Sequence, residues 1–150
     1  MHLVLLPHVW RKEDLKLLDE IVSKINNVRI ISINNLLLPY QARKILGSSY
    51  FVLSQRMHGA ISALQMGVPT VSMSYSVKYS GVVGEYLGLP ELVVEIRKDN
   101  FEESIELLYD VLDTTLENLP ELKNKIKRSI DKAKRDAIKQ LEDVANDILS

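Results

Sequence analysis

An alternation restricts the fold of this chain more than any other feature of its sequence. Short apolar or β-branched runs at His2–Pro7, Val28–Ile33, Tyr50–Leu53, Pro69–Met73 and Leu92–Ile96 are separated by stretches of helical periodicity. The first such stretch, Lys12 to Ile25, spaces Leu15, Leu18, Ile21, Val22 and Ile25 along one helical face with charges between them. Local punctuation supports the division. Asn26-Asn27 ends the first helix, Pro39 suits a helix start, and Gly47 suits the position just past its end. Ser54 is expected to cap a helix of about Gln55–Met66, closed by Gly67. A weaker helix is expected over Val77–Leu87, interrupted by Gly81 and Gly84, before a Gly88-Leu-Pro90 turn. Strands joined through helices cannot pair as hairpins. They form a parallel sheet with helices on its faces.

The composition shifts at Arg97-Lys-Asp-Asn100. Two helices are expected beyond it, Phe101–Leu116 and a long one from about Pro120 to Leu149. In the second, Leu122, Ile126, Ile130, Ala133, Ala137, Leu141, Val144 and Ile148 follow steps of 4, 4, 3, 4, 4, 3 and 4. At ~1.5 Å per residue such a helix is about 45 Å long, more than one small domain covers, so part of it is expected to dock on another surface. The expected fold class is α/β: a three-layer domain with a parallel sheet of about five strands and a long C-terminal helix. The sheet belongs to residues 1–100, and residues 101–150 form a helical tail packed on or extending from it.

Charge is distributed unevenly. From Ile21 to Gly84, 64 residues, there is no Asp or Glu, and the cations are Lys24, Arg29, Arg43, Lys44, Arg56 and Lys78. Twelve acids follow from Phe101 onward. The net charge of −1 gives no global attraction to nucleic acid or anionic membrane, and basic residues are not interleaved with aromatics. The chain has no cysteine, which excludes a disulfide framework, a zinc–cysteine site and a cysteine nucleophile. No apolar run approaches the ~20 residues of a membrane helix. The apolar N-terminus has no basic leader or small-residue cleavage site, so it reads as a strand rather than a signal peptide, and the expected location is the cytoplasm.

In open parallel sheets ligands gather where strands end. Pro7-His8, Asn34-Asn35, Ser54-Gln-Arg-Met-His-Gly59 and Ser74-Tyr-Ser-Val-Lys78 occupy those positions. The two cations of the apolar centre, Arg56 and Lys78, both fall there. Ser54 to Gly59 lies at a strand-to-helix handover, where backbone N–H groups and the helix dipole favour an anion. Arg56 adds a planar fork for a carboxylate or phosphate, and His58 a group that exchanges protons near neutral pH. Gly59 leaves room for close approach. An isolated Arg-x-His is usually a surface arginine beside a satisfied core histidine. The absence of acids shifts the reading of Arg56 toward a bound anion. Lys78, beside Ser74, Tyr75 and Ser76, suits phosphate as a point charge but equally a solvated lysine. His8 follows a strand-ending proline, more often a loop position than a site.

Other chemistries lack their residues. There is no GxGxxG or P-loop, and no acid follows the early strands to hold a ribose. The centre has no carboxylates and only His58 among histidines, so metal catalysis and paired-carboxylate glycoside hydrolysis are not expected there.

The stretch Ser54-Gln-Arg-Met-His-Gly-Ala-Ile-Ser-Ala-Leu-Gln-Met-Gly-Val-Pro-Thr70, with Tyr75, Lys78 and Leu87-Gly-Leu89, resembles the polysaccharide pyruvyl transferase family. The matching elements are Arg56-x-His58, Ala60–Leu64, Gly67-x-Pro69, Tyr75-x-x-Lys78 and the Leu-Gly-Leu turn. The resemblance implies a GT-B-like architecture of two Rossmann-like halves, with this chain similar to the C-terminal one. It implies transfer of pyruvate from phosphoenolpyruvate to a pair of sugar hydroxyls, forming a ketal. Arg56 and His58 would then be the catalytic pair, with Arg56 on the donor's carboxylate or phosphate and His58 as general acid or base. Ser54, Gln55, Met57, Gly59, Tyr75, Lys78 and His8 would line the substrate. No metal and no cofactor beyond the donor substrate is expected. The implied partners are a small phosphorylated acid and a saccharide acceptor. The N-terminal half of full members has no counterpart here, nor does the strand and helix that precede the match to Leu3–Leu6. A truncated or rearranged sheet is therefore expected, an isolated chain without turnover, and a homo-oligomer or separate partner that supplies the missing half. Two other readings remain open at this point: a GT-B glycosyltransferase-like binder of a nucleotide sugar, and a non-catalytic interaction module using its terminal helix.

Overall fold

The computed structural model describes residues 2–7, 11–26, 28–33 and 35–149. The chain divides into two compact units, Met1–Lys44 and Ile45–Ser150. In the first, strand β1 (His2–Leu5) leads through helix α1 (Lys12–Lys24) to strand β2 (Arg29–Ser32). The strands pair in parallel with His2 opposite Arg29 and Leu5 opposite Ser32. Glu13 and Asp14 in the first turn of α1 and Lys24 in its last complement the helix dipole. Both strands alternate between exposed and half-buried residues, and the register partners Val4 and Ile31 stay 38% and 46% exposed. The N-terminal apolar run is thus not the buried strand its composition suggests. Helix α2 (Pro39–Gly47) follows and crosses the boundary between the units.

The second unit contains strand β3 (Val52–Ser54), helix α3 (Met57–Gln65), strand β4 (Thr70–Ser74), strand β5 (Val93–Glu95), and helices α4 (Phe101–Glu117) and α5 (Leu119–Leu149). Its sheet is parallel, in the order β3-β4-β5. The expected single sheet of about five strands is therefore incorrect. The strands form one two-stranded and one three-stranded sheet. Periodicity specifies which residues make strands, but the edges that pair are chosen by long-range packing, which no local pattern encodes.

Strand β4 is central and almost wholly buried. Around it Leu64, Val71, Val83, Leu89, Leu92, Val94, Leu108, Leu122, Ile126 and Ile130 form one apolar cluster. Helix α3 packs on β3 and β4 and contributes Ala60, Ala63 and Leu64, all fully buried. It ends at Gly67, whose φ of 77° is the left-handed conformation that glycine adopts without a Cβ clash. Gly67 N–H donates to the Leu64 carbonyl at 2.9 Å and Val68 N–H to the Ala63 carbonyl at 3.1 Å, a Schellman closure. The weak helix expected over 77–87 contains a π-helix, Ser80–Tyr86, with Leu87 N–H donating five residues back to Val82 at 3.1 Å. Its glycines Gly81 and Gly84 offer little support for a regular α-turn.

Helix α5 is docked only along its first half. Leu119, Leu122, Ile126 and Ile130 are buried. The Lys125 ammonium meets Glu91 at 2.5 Å, and the Lys123 ammonium lies 5.2 Å from the Tyr50 ring centre. Among the described residues no helix is long and apolar enough to cross a membrane.

Candidate active site

Parallel pairing brings the C-terminal ends of β3, β4 and β5 to one edge of the second unit's sheet, with Ser54 beside Ser72 and Ser74 beside Glu95 in the register. The turn from β3 into α3 is the best-defined part of this rim. Ser54 ends the strand rather than capping the helix. Its hydroxyl donates to the Arg56 carbonyl at 2.8 Å and accepts from the Arg56 N–H at 3.3 Å. A serine hydroxyl satisfies a turn two residues on as readily as a helix end. Arg56 takes the N-cap position in extended conformation (φ −105°, ψ 124°) with no side-chain cap bond, and α3 begins at Met57. The space at Gly59 is occupied from within the chain. A Cβ there would lie 2.9 Å from Ser54 Oγ, so the glycine admits the serine hydroxyl rather than a ligand.

The turn is closed from β4's side by Tyr79, a residue with no counterpart among the expected site residues. Tyr79 is only 2% exposed, and its hydroxyl donates to the Gln55 carbonyl at 2.5 Å. Its ring meets Tyr75 edge-on, with centres 5.6 Å apart. Burial pushes the Tyr79 phenol above its ordinary range, and a hydrogen bond with Tyr75 adds to this. The Met57 backbone N–H and the Arg56 guanidinium pull it the other way. The sequence hint was a tyrosine four residues after Tyr75, one helical turn on, but the contact that matters spans 24 residues.

Of the expected site residues, the structure brings together Ser54, Gln55, Arg56, Met57, Gly59 and Tyr75. Arg56 and Met57 are half-buried, and Gln55 and Tyr75 are exposed. His58 lies in the first turn of α3, exposed. Neither it nor Arg56 is without an interaction in the chain, so Arg56 is not the unpartnered cation that its acid-free neighbourhood suggested. Lys78 is exposed beside Tyr79, and its backbone N–H donates to Ser76 Oγ at 3.4 Å. His8 and Asn34 lie outside the described residues, while Pro7 and Asn35 belong to the first unit.

The third strand of the rim adds residues that sequence reading passed over. Glu95 pairs with the Arg97 guanidinium at 2.9 Å, and the Arg97 N–H donates to Ser104 Oγ at 3.1 Å. With Asn100, Glu103 and Leu107 these line a cleft of about 380 Å³. A larger hollow of about 400 Å³, between α4 and the start of α5, lies away from this edge. Among the described residues no three His, Asp or Glu side chains are grouped to hold a metal ion.

The family model for polysaccharide pyruvyl transferase matches residues 1–77, just over half of the chain. The chain belongs to the polysaccharide pyruvyl transferase family. The matched span of this pyruvyl transferase-like protein includes Ser54 to Gly59 and Tyr75, and Lys78 and Tyr79 follow directly after it. No solved structure matches the chain significantly.

Proposed function

We propose that the rim around Arg56 binds phosphoenolpyruvate, and that the chain is the donor-binding part of an enzyme making a pyruvyl ketal on a sugar. The observation that carries this reading is the family match over the span holding Arg56-x-His58. The placement of that motif at a strand-to-helix turn supports it. Such a turn aims backbone N–H groups and the positive end of a helix at an anion, and the Arg56 guanidinium adds a bidentate donor.

The chemistry needs one proton delivered and two removed. Protonation of the enol carbon gives an oxocarbenium-like centre. One sugar hydroxyl adds there and loses its proton. The phosphate departs with its bonding pair, and the second hydroxyl adds and loses its proton, closing the ketal. In this reading His58 exchanges protons at the enol carbon or the attacking oxygen. Arg56, the first turn of α3 and Lys78 stabilise the phosphate as its charge grows. Tyr75 and Gln55 line the acceptor side. The acceptor is a saccharide, and residues 1–100 act as the Rossmann-like half.

Calorimetric titration with phosphoenolpyruvate and, separately, with nucleotide sugars tests the proposal. Phosphoenolpyruvate should bind the wild type, and Arg56→Ala, with helix content unchanged, should weaken it by ~100-fold, as for a lost charge-assisted contact. Binding of a nucleotide sugar instead, or donor affinity indifferent to Arg56, would overturn it.

A further inference from the structure

Strands β3 and β4 leave their sheet through the same device. The Ser54 hydroxyl bonds both backbone groups of the residue two further on, Arg56. Ser74 does the same with Ser76, donating to its carbonyl at 2.9 Å and accepting from its N–H at 3.3 Å. Each terminal serine thus fixes the chain that follows to its own strand. The second turn continues to Lys78, whose N–H reaches Ser76 Oγ at 3.4 Å, and to Tyr79, whose N–H donates to the Ser76 carbonyl at 3.2 Å. One cation of the rim therefore stands on each turn, Arg56 on the first and Lys78 on the second.

The two turns do not start level. The β3–β4 register ends with Ser54 beside Ser72, and β4 runs on to Ser74. At ~3.3 Å per residue the second turn begins ~7 Å beyond the first, past the ladder that joins the strands. The Tyr79 hydroxyl crosses that step to the Gln55 carbonyl at 2.5 Å. Both ends of this bond adjoin a cation, because Gln55 precedes Arg56 and Tyr79 follows Lys78. Tyr79 is buried, so packing aims its hydroxyl, whereas Lys78 is exposed. A lysine carries its charge on a flexible four-carbon stem. Where that charge can meet a ligand depends on where the backbone beneath it is held.

We infer that Tyr79 is a positioning residue of the anion site: its hydroxyl ties the Lys78 turn to the Arg56 turn and fixes the span over which guanidinium and ammonium hold one ligand. The role rests on the rim's binding phosphoenolpyruvate, whose carboxylate and phosphate give it two charged ends. A link that sets both cations before the ligand arrives removes an ordering cost that binding otherwise bears.

Calorimetric titration of the full chain with phosphoenolpyruvate tests this in wild type, Tyr79→Phe, Lys78→Ala and the double variant, with helix content checked in each. Tyr79→Phe keeps the ring and should weaken binding by ~tenfold, as should Lys78→Ala alone. In the Tyr79→Phe background, Lys78→Ala should weaken it by only about twofold, because an ammonium no longer held in place contributes little. A tyrosine acting through fold stability alone would leave the two losses independent, so losses that multiply would overturn the inference. So would binding indifferent to Tyr79→Phe. If Arg56→Ala still weakened binding in that case, the donor-binding reading would stand and the role of Tyr79 alone would fall. A wild type that does not bind phosphoenolpyruvate would overturn both.

Discussion

Tyr79→Phe removes one oxygen atom and keeps the ring, its volume and its edge-on contact with Tyr75. What it deletes is the 2.5 Å bond to the Gln55 carbonyl, in the residue just before Arg56. A hydrogen bond of this kind contributes ~0.5–1.5 kcal/mol net, and a stranded buried partner raises the cost to ~1–3 kcal/mol. The bond is only part-buried, so the lower end applies, about 1–1.5 kcal/mol. Because the chain has two units, site-resolved hydrogen exchange is a better readout than a single melting curve. The amides of Arg56, Met57 and His58 should exchange about tenfold faster in the variant. Those of Leu64 and Val71, deep in the same core, should change much less. Unchanged exchange at the turn would mean that the phenol does not hold it. Equal acceleration everywhere would mean that it acts through global stability alone.

The same hydroxyl predicts a pH effect. The folded Tyr79 phenol titrates above its ordinary 10.0, so its stabilising contribution is complete below that pH. It falls as pH rises from 10.0 toward the raised folded value, because the unfolded chain releases this proton first. The wild-type stability advantage over Tyr79→Phe should therefore shrink above pH 10.0 in urea titrations, and an advantage that grows there would refute the assignment. At Gly59 two effects oppose each other. Alanine gains ~0.5–1 kcal/mol of helix propensity, but its Cβ would meet Ser54 Oγ at 2.9 Å and dislodge a hydroxyl bonded at both lone pair and proton to Arg56. Gly59→Ala should be neutral to destabilising alone and stabilising in a Ser54→Ala background, with a coupling of ~1 kcal/mol in a denaturation cycle. Additivity would show that the two side chains do not contend for the same space.

What could be read from the residues was local. The apolar steps of α5 marked both its ends, and the glycine closing α3 marked that helix's end, to within a residue, because a helix face and a left-handed cap depend on neighbours in sequence; α3 begins two residues later than expected. Arg56-x-His58 at a strand end was legible for the same reason. Ser54 misled because serine's hydroxyl serves a turn and a cap with the same chemistry, and only the backbone path decides between them. Tyr79 was invisible because its partner carbonyl lies 24 residues away. The division into two sheets was invisible too. Val4 and Ile31 are as β-branched as any core residue, and their exposure follows from which edges pair rather than from what they are.

The alanines of α3 carry a mechanical consequence. With Ala60 and Ala63 as two of its three buried residues, the helix bearing Met57 and His58 rests on the sheet with almost no side-chain cushion. Cushioned layers absorb a displaced neighbour by rotamer changes, whereas a methyl has none to offer, and close-packed interiors pass strain on. A disturbance in the middle of β4 would thus travel to the start of α3 nearly undamped, making the rim as stiff as the strand beneath it.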